Sequence, residues 1–159
     1  MTFSTADLYD DHEGKVQVVN AFLQNFGQKT TFSGPISTVK CFEDNSLVRA
    51  ALEEDGQGRV LVVDGGASHR CALVGDKMAK LGMDSGWEGL IINGCVRDSA
   101  VLSSLPIGIK ALGANPRRSV KRGSGERDIP LCFADATFTP GEYAYADADG
   151  ILLSHLQLL

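Results

Sequence analysis

Two short apolar runs, each closed by glycine, set the strongest limit on what this chain can fold into. Arg59-Val60-Leu61-Val62-Val63-Asp64 opens into Gly65-Gly66, and Gly89-Leu90-Ile91-Ile92-Asn93-Gly94 repeats the pattern. Continuous rather than alternating apolar residues suit strands covered on both faces, the usual setting of a parallel sheet. Helical patterns follow, one from about Ala72 to Leu81 and a shorter one from Asp98 to Leu102, before Pro106. The middle of the chain therefore reads as successive β-α units.

The flanks are weaker. Ser4, with Asp7 three residues on, is expected to cap a short helix through Tyr9 that Gly14 soon interrupts. Thr31 to Phe42 reads as a strand carrying Ile36, Val39 and Cys41; Asn45 then caps a helix with Leu47, Val48, Ala51 and Leu52 at helical spacing. Beyond Ile107 the pattern turns β-rich, with short extended candidates at Ile109–Leu112, Leu131–Phe133, Thr137–Phe138 and Ile151–Leu153, and Ser154–Leu159 as a terminal helix or tail. No repeat, heptad or low-complexity segment divides the 159 residues, so a single α/β domain spanning 1–159 is expected.

Several function classes drop out. No apolar stretch is long enough for a membrane helix, and the N-terminus has no basic segment or apolar core for export, so a soluble, cytoplasmic protein is expected. Cysteines at 41, 71, 95 and 132 form no C-x-x-C pair, which speaks against a zinc site or disulfide framework; Cys41 and Cys95 read as buried thiols. A net charge of −5 argues against wholesale wrapping by nucleic acid or an anionic membrane. One stretch runs the other way. Lys110, Arg117, Arg118, Lys121, Arg122 and Arg127 face only Glu126 among residues 110–127, a local +5 that leaves −10 elsewhere. Such a run is either a solvated loop or a contact for an acidic partner, RNA or a second subunit. Gly123-Ser124-Gly125 follows no apolar strand and is not a dinucleotide loop; Asp147 and Asp149 read as a solvated turn.

Ligands of open α/β sheets bind where strand C-termini meet helix N-termini. That rule points to a rim made of Asp64-Gly65-Gly66, Asn93-Gly94-Cys95-Val96-Arg97-Asp98 and Gly75-Asp76-Lys77-Met78. Unpaired backbone N–H groups at Gly75–Met78 can hold a carboxylate or phosphate; a turn glycine with a helix-starting Asp76 explains the same residues without a ligand. Arg97 can grip a carboxylate through two parallel hydrogen bonds, and Asp98 can hold a divalent cation whose shell water and substrate oxygens complete. A surface arginine and an N-capping aspartate is the alternative.

Taken in order, Phe26-Gly27, Phe32-Ser33-Gly34-Pro35, Lys40-Cys41-Phe42-Glu43-Asp44-Asn45, Val62-Val63-Asp64-Gly65-Gly66, Gly86-Trp87-Glu88-Gly89, Gly94-Cys95-Val96-Arg97-Asp98 and Ala146-Asp147-Ala148-Asp149-Gly150 resemble the regulator of ribonuclease activity A (RraA-like) family, over nearly the whole chain. Its relatives include class II 4-hydroxy-4-methyl-2-oxoglutarate aldolases, whose signature of Asp, twenty residues, then Arg-Asp is matched by Asp76 and Arg97-Asp98. The resemblance implies a β/β/α sandwich of the swivelling phosphohistidine-domain type, assembled as a homotrimer. It implies substrate binding by Gly75, Asp76, Lys77, Met78 and Arg97, catalytic roles for Arg97 and Asp76, and a divalent cation, Mg²⁺ or Mn²⁺, on Asp98. The activity it implies is cleavage of 4-hydroxy-4-methyl-2-oxoglutarate to pyruvate, with oxaloacetate decarboxylation as a second activity. Regulation of ribonuclease E, or of an RNA helicase partner, is the other implied role. Val101 stands where many of the aldolases carry an acidic residue. Some relatives are labelled demethylmenaquinone methyltransferases, but the glycine-rich cofactor loop expected after a first Rossmann strand is missing.

Overall fold

The computed structural model describes residues 2–159. In chain order its elements are α1 (Thr5–Asp11), β1 (Val16–Val18), β2 (Gln24–Asn25), β3 (Phe32–Lys40), α2 (Ser46–Glu53), β4 (Val60–Asp64), β5 (Ala72–Val74), α3 (Asp76–Asp84), β6 (Gly89–Val96), α4 (Ser99–Leu102), β7 (Gly108–Ala114), β8 (Glu126–Arg127), β9 (Leu131–Phe133), β10 (Ala136–Phe138), β11 (Tyr143–Ala146) and β12 (Ile151–Ser154). Ten strands form one mixed sheet in the order β1-β12-β11-β3-β4-β6-β7-β2, with β5 on β6 and β8 on β3; β9 and β10 form a separate hairpin. The centre, β3-β4-β6-β7, is parallel, and antiparallel strands extend both edges.

The two apolar runs become β4 and β6, paired in parallel from Val60↔Gly89 to Asp64↔Asn93. Their side chains alternate between two cores. Leu61, Val63, Leu90 and Ile92 pack under α2 and α3, whereas Val60, Val62 and Ile91 join Phe32, Leu131, Phe138, Ile151 and Leu153 on the opposite face. Both faces are covered, which is why neither run alternates in sequence. Phe32 lies against Gly89 and Gly108, neighbours in the β6–β7 register, where a side chain would overlap its ring.

Most expected elements are present. Ser4 caps α1 by accepting from Asp7 N at 3.3 Å, and α2 buries Val48, Ala51 and Leu52. The helix expected from Ala72 begins later: Ala72–Val74 is strand β5, wholly buried and paired with β6, and α3 starts only at Asp76. A three-residue apolar stretch is ambiguous by pattern, and here the sheet claims it. Asn45 stands at the N-cap of α2 but its side chain makes no capping bond; Asp44 accepts from Ser46 N at 2.9 Å instead. Ser154 completes β12, and the residues after it form a tail without a helix. The pairing partners β1, β2, β8 and β11 carried no sequence expectation.

Two other expectations are corrected. Asp147 is not a solvated turn residue: it is 9% exposed and its carboxylate accepts from Thr5 N at 2.7 Å and Thr5 Oγ1 at 2.6 Å. Nor is Lys110 part of a solvated run; it is 2% exposed within β7, its Nζ donating to Asp147 O at 2.6 Å. Cys41 and Cys95 are buried thiols as expected, and burial, helped by Asp44 and Asp64, pushes Cys41 up to about 12.

Candidate active site

Strand β5 builds the site. Its parallel pairing with β6, Ala72↔Cys95 and Val74↔Val96, lays the end of one strand beside the end of the other, and Arg97 N donates to Val74 O at 2.9 Å. The chain leaving β5 enters α3 at Gly75-Asp76, and the chain leaving β6 turns at Arg97-Asp98, so four residues separated by twenty in sequence meet. Asp98 makes that turn in the left-handed region, φ 59° and ψ 39°, which aspartate tolerates better than most side chains.

The turned backbone brings the Asp98 carboxylate to the start of α3, where Oδ2 accepts from Asp76 N at 3.0 Å. Asp98 is thus an N-terminal cap, but of α3 rather than of the α4 it precedes. The bond from Asp76 N, ahead of the nearby Arg97 charge, holds the Asp98 carboxyl below the ordinary range, so it is ionised at neutral pH. Gly75 is what allows the approach. A Cβ there would stand 2.7 Å from Asp98 Oδ2 and 3.2 Å from Arg97 Cγ. Lys77 N donates to Asp76 Oδ1 at 2.8 Å, so the first two donors of α3 are already engaged by the chain's own carboxylates.

These residues line a pocket of about 380 Å³. Gly75, Asp76, Lys77, Met78, Arg97 and Asp98 all contribute to it, together with Asn45 and Arg49 of the α2 start, Ala72, Leu73, Arg118, Ser119 and Lys121. Five basic side chains outnumber the two carboxylates, which gives the pocket a net positive lining suited to anions. Sequence reasoning missed Asn45 and Arg49 because nothing in linear spacing ties α2 to α3. It also treated residues 110–127 as one unit. The structure divides them: Arg118 and Lys121 enter the pocket, Lys110 is internal, and Arg127 pairs with Glu54 at 3.0 Å. The Asp64-Gly65-Gly66 corner does not line the pocket; Asp64 Oδ1 accepts from Gly66 N and Asn93 Nδ2, each at 3.0 Å, and so holds its own turn.

A divalent cation is compatible with this donor set only in one form. No group of three or more His, Cys, Asp or Glu side chains able to hold a metal occurs among the described residues. Asp98 offers a single carboxylate, whose Oδ2 already accepts from Asp76 N, and this suits only a hard ion that retains most of its water and takes one protein carboxylate. Val101, on α4, is 39% exposed and adds no oxygen ligand.

The chain as a whole is similar to proteins of known sequence and structure. A 159-residue alignment gives 51% identity, over the full length of both chains, to a protein of Aromatoleum aromaticum named "Putative 4-hydroxy-4-methyl-2-oxoglutarate aldolase". The solved structure of an S-adenosylmethionine:2-dimethylmenaquinone methyltransferase from Geobacillus kaustophilus superposes with a TM-score of 0.97 at 48% identity, covering 98% of this chain and 97% of that one. The RNA-processing inhibitor RraA from Thermus thermophilis superposes with a TM-score of 0.94 at 42% identity, covering 98% and 94%. The family model described as RraA-like, Aldolase/RraA, matches residues 5–153, and the chain belongs to that family.

Proposed function

We propose that the chain is a lyase that cleaves 4-hydroxy-4-methyl-2-oxoglutarate into two molecules of pyruvate in the pocket between β5, β6 and α3. The observation that carries this reading is the convergence of Asp76, Arg97 and Asp98 on one anion-receptive pocket, in a chain half identical to a protein named for that reaction. Cleavage removes the proton of the C4 hydroxyl, breaks the C3–C4 bond and sends its electrons to the C2 keto oxygen; proton return to C3 completes the second pyruvate. A Mg²⁺ or Mn²⁺ ion held by Asp98 would, when bound, draw electron density from that keto oxygen. Arg97 meets the negative charge that grows there, an interaction stronger in the transition state than in the ground state. Asp76, at the pocket edge, takes up the hydroxyl proton through a water. The first turn of α3 orients the substrate carboxylate, Lys77 N exchanging its bond to Asp76 for one to substrate. Oxaloacetate decarboxylation uses the same charge stabilisation with carbon dioxide as leaving group. The reading carries with it the swivelling-domain fold type and a homotrimer, three times the 16.9 kDa chain mass in light scattering.

Pyruvate release from 4-hydroxy-4-methyl-2-oxoglutarate and from oxaloacetate, with Mg²⁺ or Mn²⁺ and then with excess chelator, tests it. Arg97→Ala is expected to lose roughly 10²–10³-fold in kcat, the scale of one lost charge-stabilising donor. Absence of metal-dependent turnover overturns the lyase reading. Full activity in Arg97→Ala and Asp98→Ala overturns the site.

The likeness to the Thermus RNA-processing inhibitor supports a second reading, in which the net acidic chain captures basic segments of ribonuclease E or of an RNA helicase. Pull-down at low salt followed by an RNA cleavage assay decides it, and lack of binding at low salt rejects it.

A further inference from the structure

The pocket has a second charged wall that the cleavage chemistry leaves unused. Arg118 and Lys121, from the loop after β7, line the same cavity as Arg97 and Asp98, and neither makes an ion pair among the described residues. Arg49 of α2 lines it too, resting against Glu53 at 3.0 Å.

The loop that presents them is fastened. Arg122 N and Ser124 N donate to Asp44 Oδ2 at 2.9 and 3.3 Å, Gly123 N donates to Ser46 Oγ at 3.0 Å, and Val120 N donates to Glu43 O at 3.0 Å. From the other side, Ala72 N donates to Arg117 O at 2.7 Å. Asp44 is 2% exposed and makes no contact with the pocket lumen, yet its carboxylate ties this loop to the start of α2. Beside it Asn45, 7% exposed, lines the pocket; its Nδ2 donates to Leu73 O at 2.9 Å, while its Oδ1 has no partner among the described residues. A wall whose backbone is fastened, with two exposed cations on it and one acceptor in reserve, suits a ligand with a second negative group and a nearby hydroxyl.

We propose that Arg118, Lys121 and Arg49 form a subsite for a second carboxylate, the one remote from the 2-oxo group, and that Asp44 is the positioning residue that sets it. The inference deepens the lyase reading and rests on it: it assigns, on the wall opposite Arg97 and Asp98, the residues that discriminate a 2-oxo acid carrying a second carboxylate from one without it. A mobile loop would give charge without register; a loop pinned through its own backbone N–H groups fixes where these side chains leave the chain.

Calorimetric titration of the full chain with Mg²⁺ tests it, using pyruvate, 2-oxoglutarate and 2-oxopentanoate, the last having the same five-carbon 2-oxo chain without the second carboxylate. Wild type is expected to bind 2-oxoglutarate at least about tenfold more tightly than 2-oxopentanoate, the scale of a well-placed charge pair. Arg118→Ala with Lys121→Ala should abolish that preference and leave pyruvate affinity within about twofold. Asp44→Asn should reduce the preference with pyruvate binding retained, a ratio that general destabilisation would not move. Should that variant fold poorly, Ser124→Pro removes one of the loop's donors and leaves the carboxylate in place. Equal binding of the two five-carbon acids by wild type, or an unchanged preference in the Arg118 and Lys121 double variant, overturns the subsite. Loss of pyruvate binding in wild type with 2-oxoglutarate still bound instead overturns the lyase reading.

Discussion

Replacing Gly75 by alanine isolates the contact on which the site turns. Gly75 has φ −121° and ψ −164°, an extended conformation open to any residue, so the backbone need not strain to accept a methyl group. The methyl itself collides: it would stand 2.7 Å from Asp98 Oδ2, and ordinary contact begins near 3.4 Å. The carboxylate must therefore retreat by about 0.7 Å, which stretches the 3.0 Å bond from Asp76 N beyond useful hydrogen-bond length. Losing that cap costs roughly 0.5–2 kcal/mol, and the reduced freedom of the unfolded chain returns about 0.4–1 kcal/mol. The net is a shift of only a few degrees in Tm, roughly 2–4 °C per kcal/mol for a chain of this size. With Asp98 in its proposed role of holding the cation, activity should suffer far more, because a displacement approaching 1 Å in a site costs on the order of 10²-fold. The assay is pyruvate release coupled to lactate dehydrogenase, read as kcat, alongside thermal melting of the same samples. A Gly75→Ala variant with full kcat would refute the claim that Asp98 acts from this position.

Two further outcomes follow from the packing and the titration of buried groups. Gly108→Ala drives a Cβ into the Phe32 ring in the two-faced centre of the sheet, and urea unfolding should show a loss of about 2 kcal/mol or more, with Phe32→Leu in the same chain recovering part of it. For Asp44, burial acts to raise the carboxyl pKa, but the bonds from Ser46, Arg122 and Ser124 outweigh it and bring it down from 3.8 to about 2. The folded value is depressed, so the stabilisation is present above pH 3.8 and is lost as pH falls through about 2. The shift corresponds to roughly 2 kcal/mol at neutral pH. Urea titrations of wild type and Asp44→Asn should therefore differ most at pH 6 and converge near pH 2; a gap that does not narrow in acid would show that the carboxylate charge is not what ties the loop.

What the sequence disclosed, and what it concealed, follows from the range of the interactions. Residues 59–66 and 89–94 announced buried strands because covering both faces of a sheet removes polar residues from the strand itself. Ser4 announced its helix because capping is a matter of three residues. Gly75, Asp76, Arg97 and Asp98 were legible as a group through a resemblance and through the rule that strand ends face helix starts. Their actual meeting depends on β5, which pattern assigned to a helix because three apolar residues have no period of their own. Asn45, Arg49 and the Asp44 clasp were hidden for a related reason: the loop at 118–124 reaches them across nearly eighty residues, and no local propensity records such a bond. The basic run misled because charge in sequence says nothing of depth, and Lys110 lies inside the molecule.

The bonds around Asp147 have a bearing on how this chain assembles. Its carboxylate receives Thr5, 142 residues away, and its carbonyl receives Lys110, while β1 pairs with β12. The first helix of the chain is thus secured by a turn that lies between the last two strands. During synthesis from the N-terminus, β1 must wait for its ladder, and α1 for its anchor on Asp147, until that final hairpin exists. Closing so long a loop costs entropy before any contact repays it, which places the docking of α1 among the late steps. The residues that line the pocket lie between Asn45 and Lys121, so that part of the chain can take shape before the fold is shut.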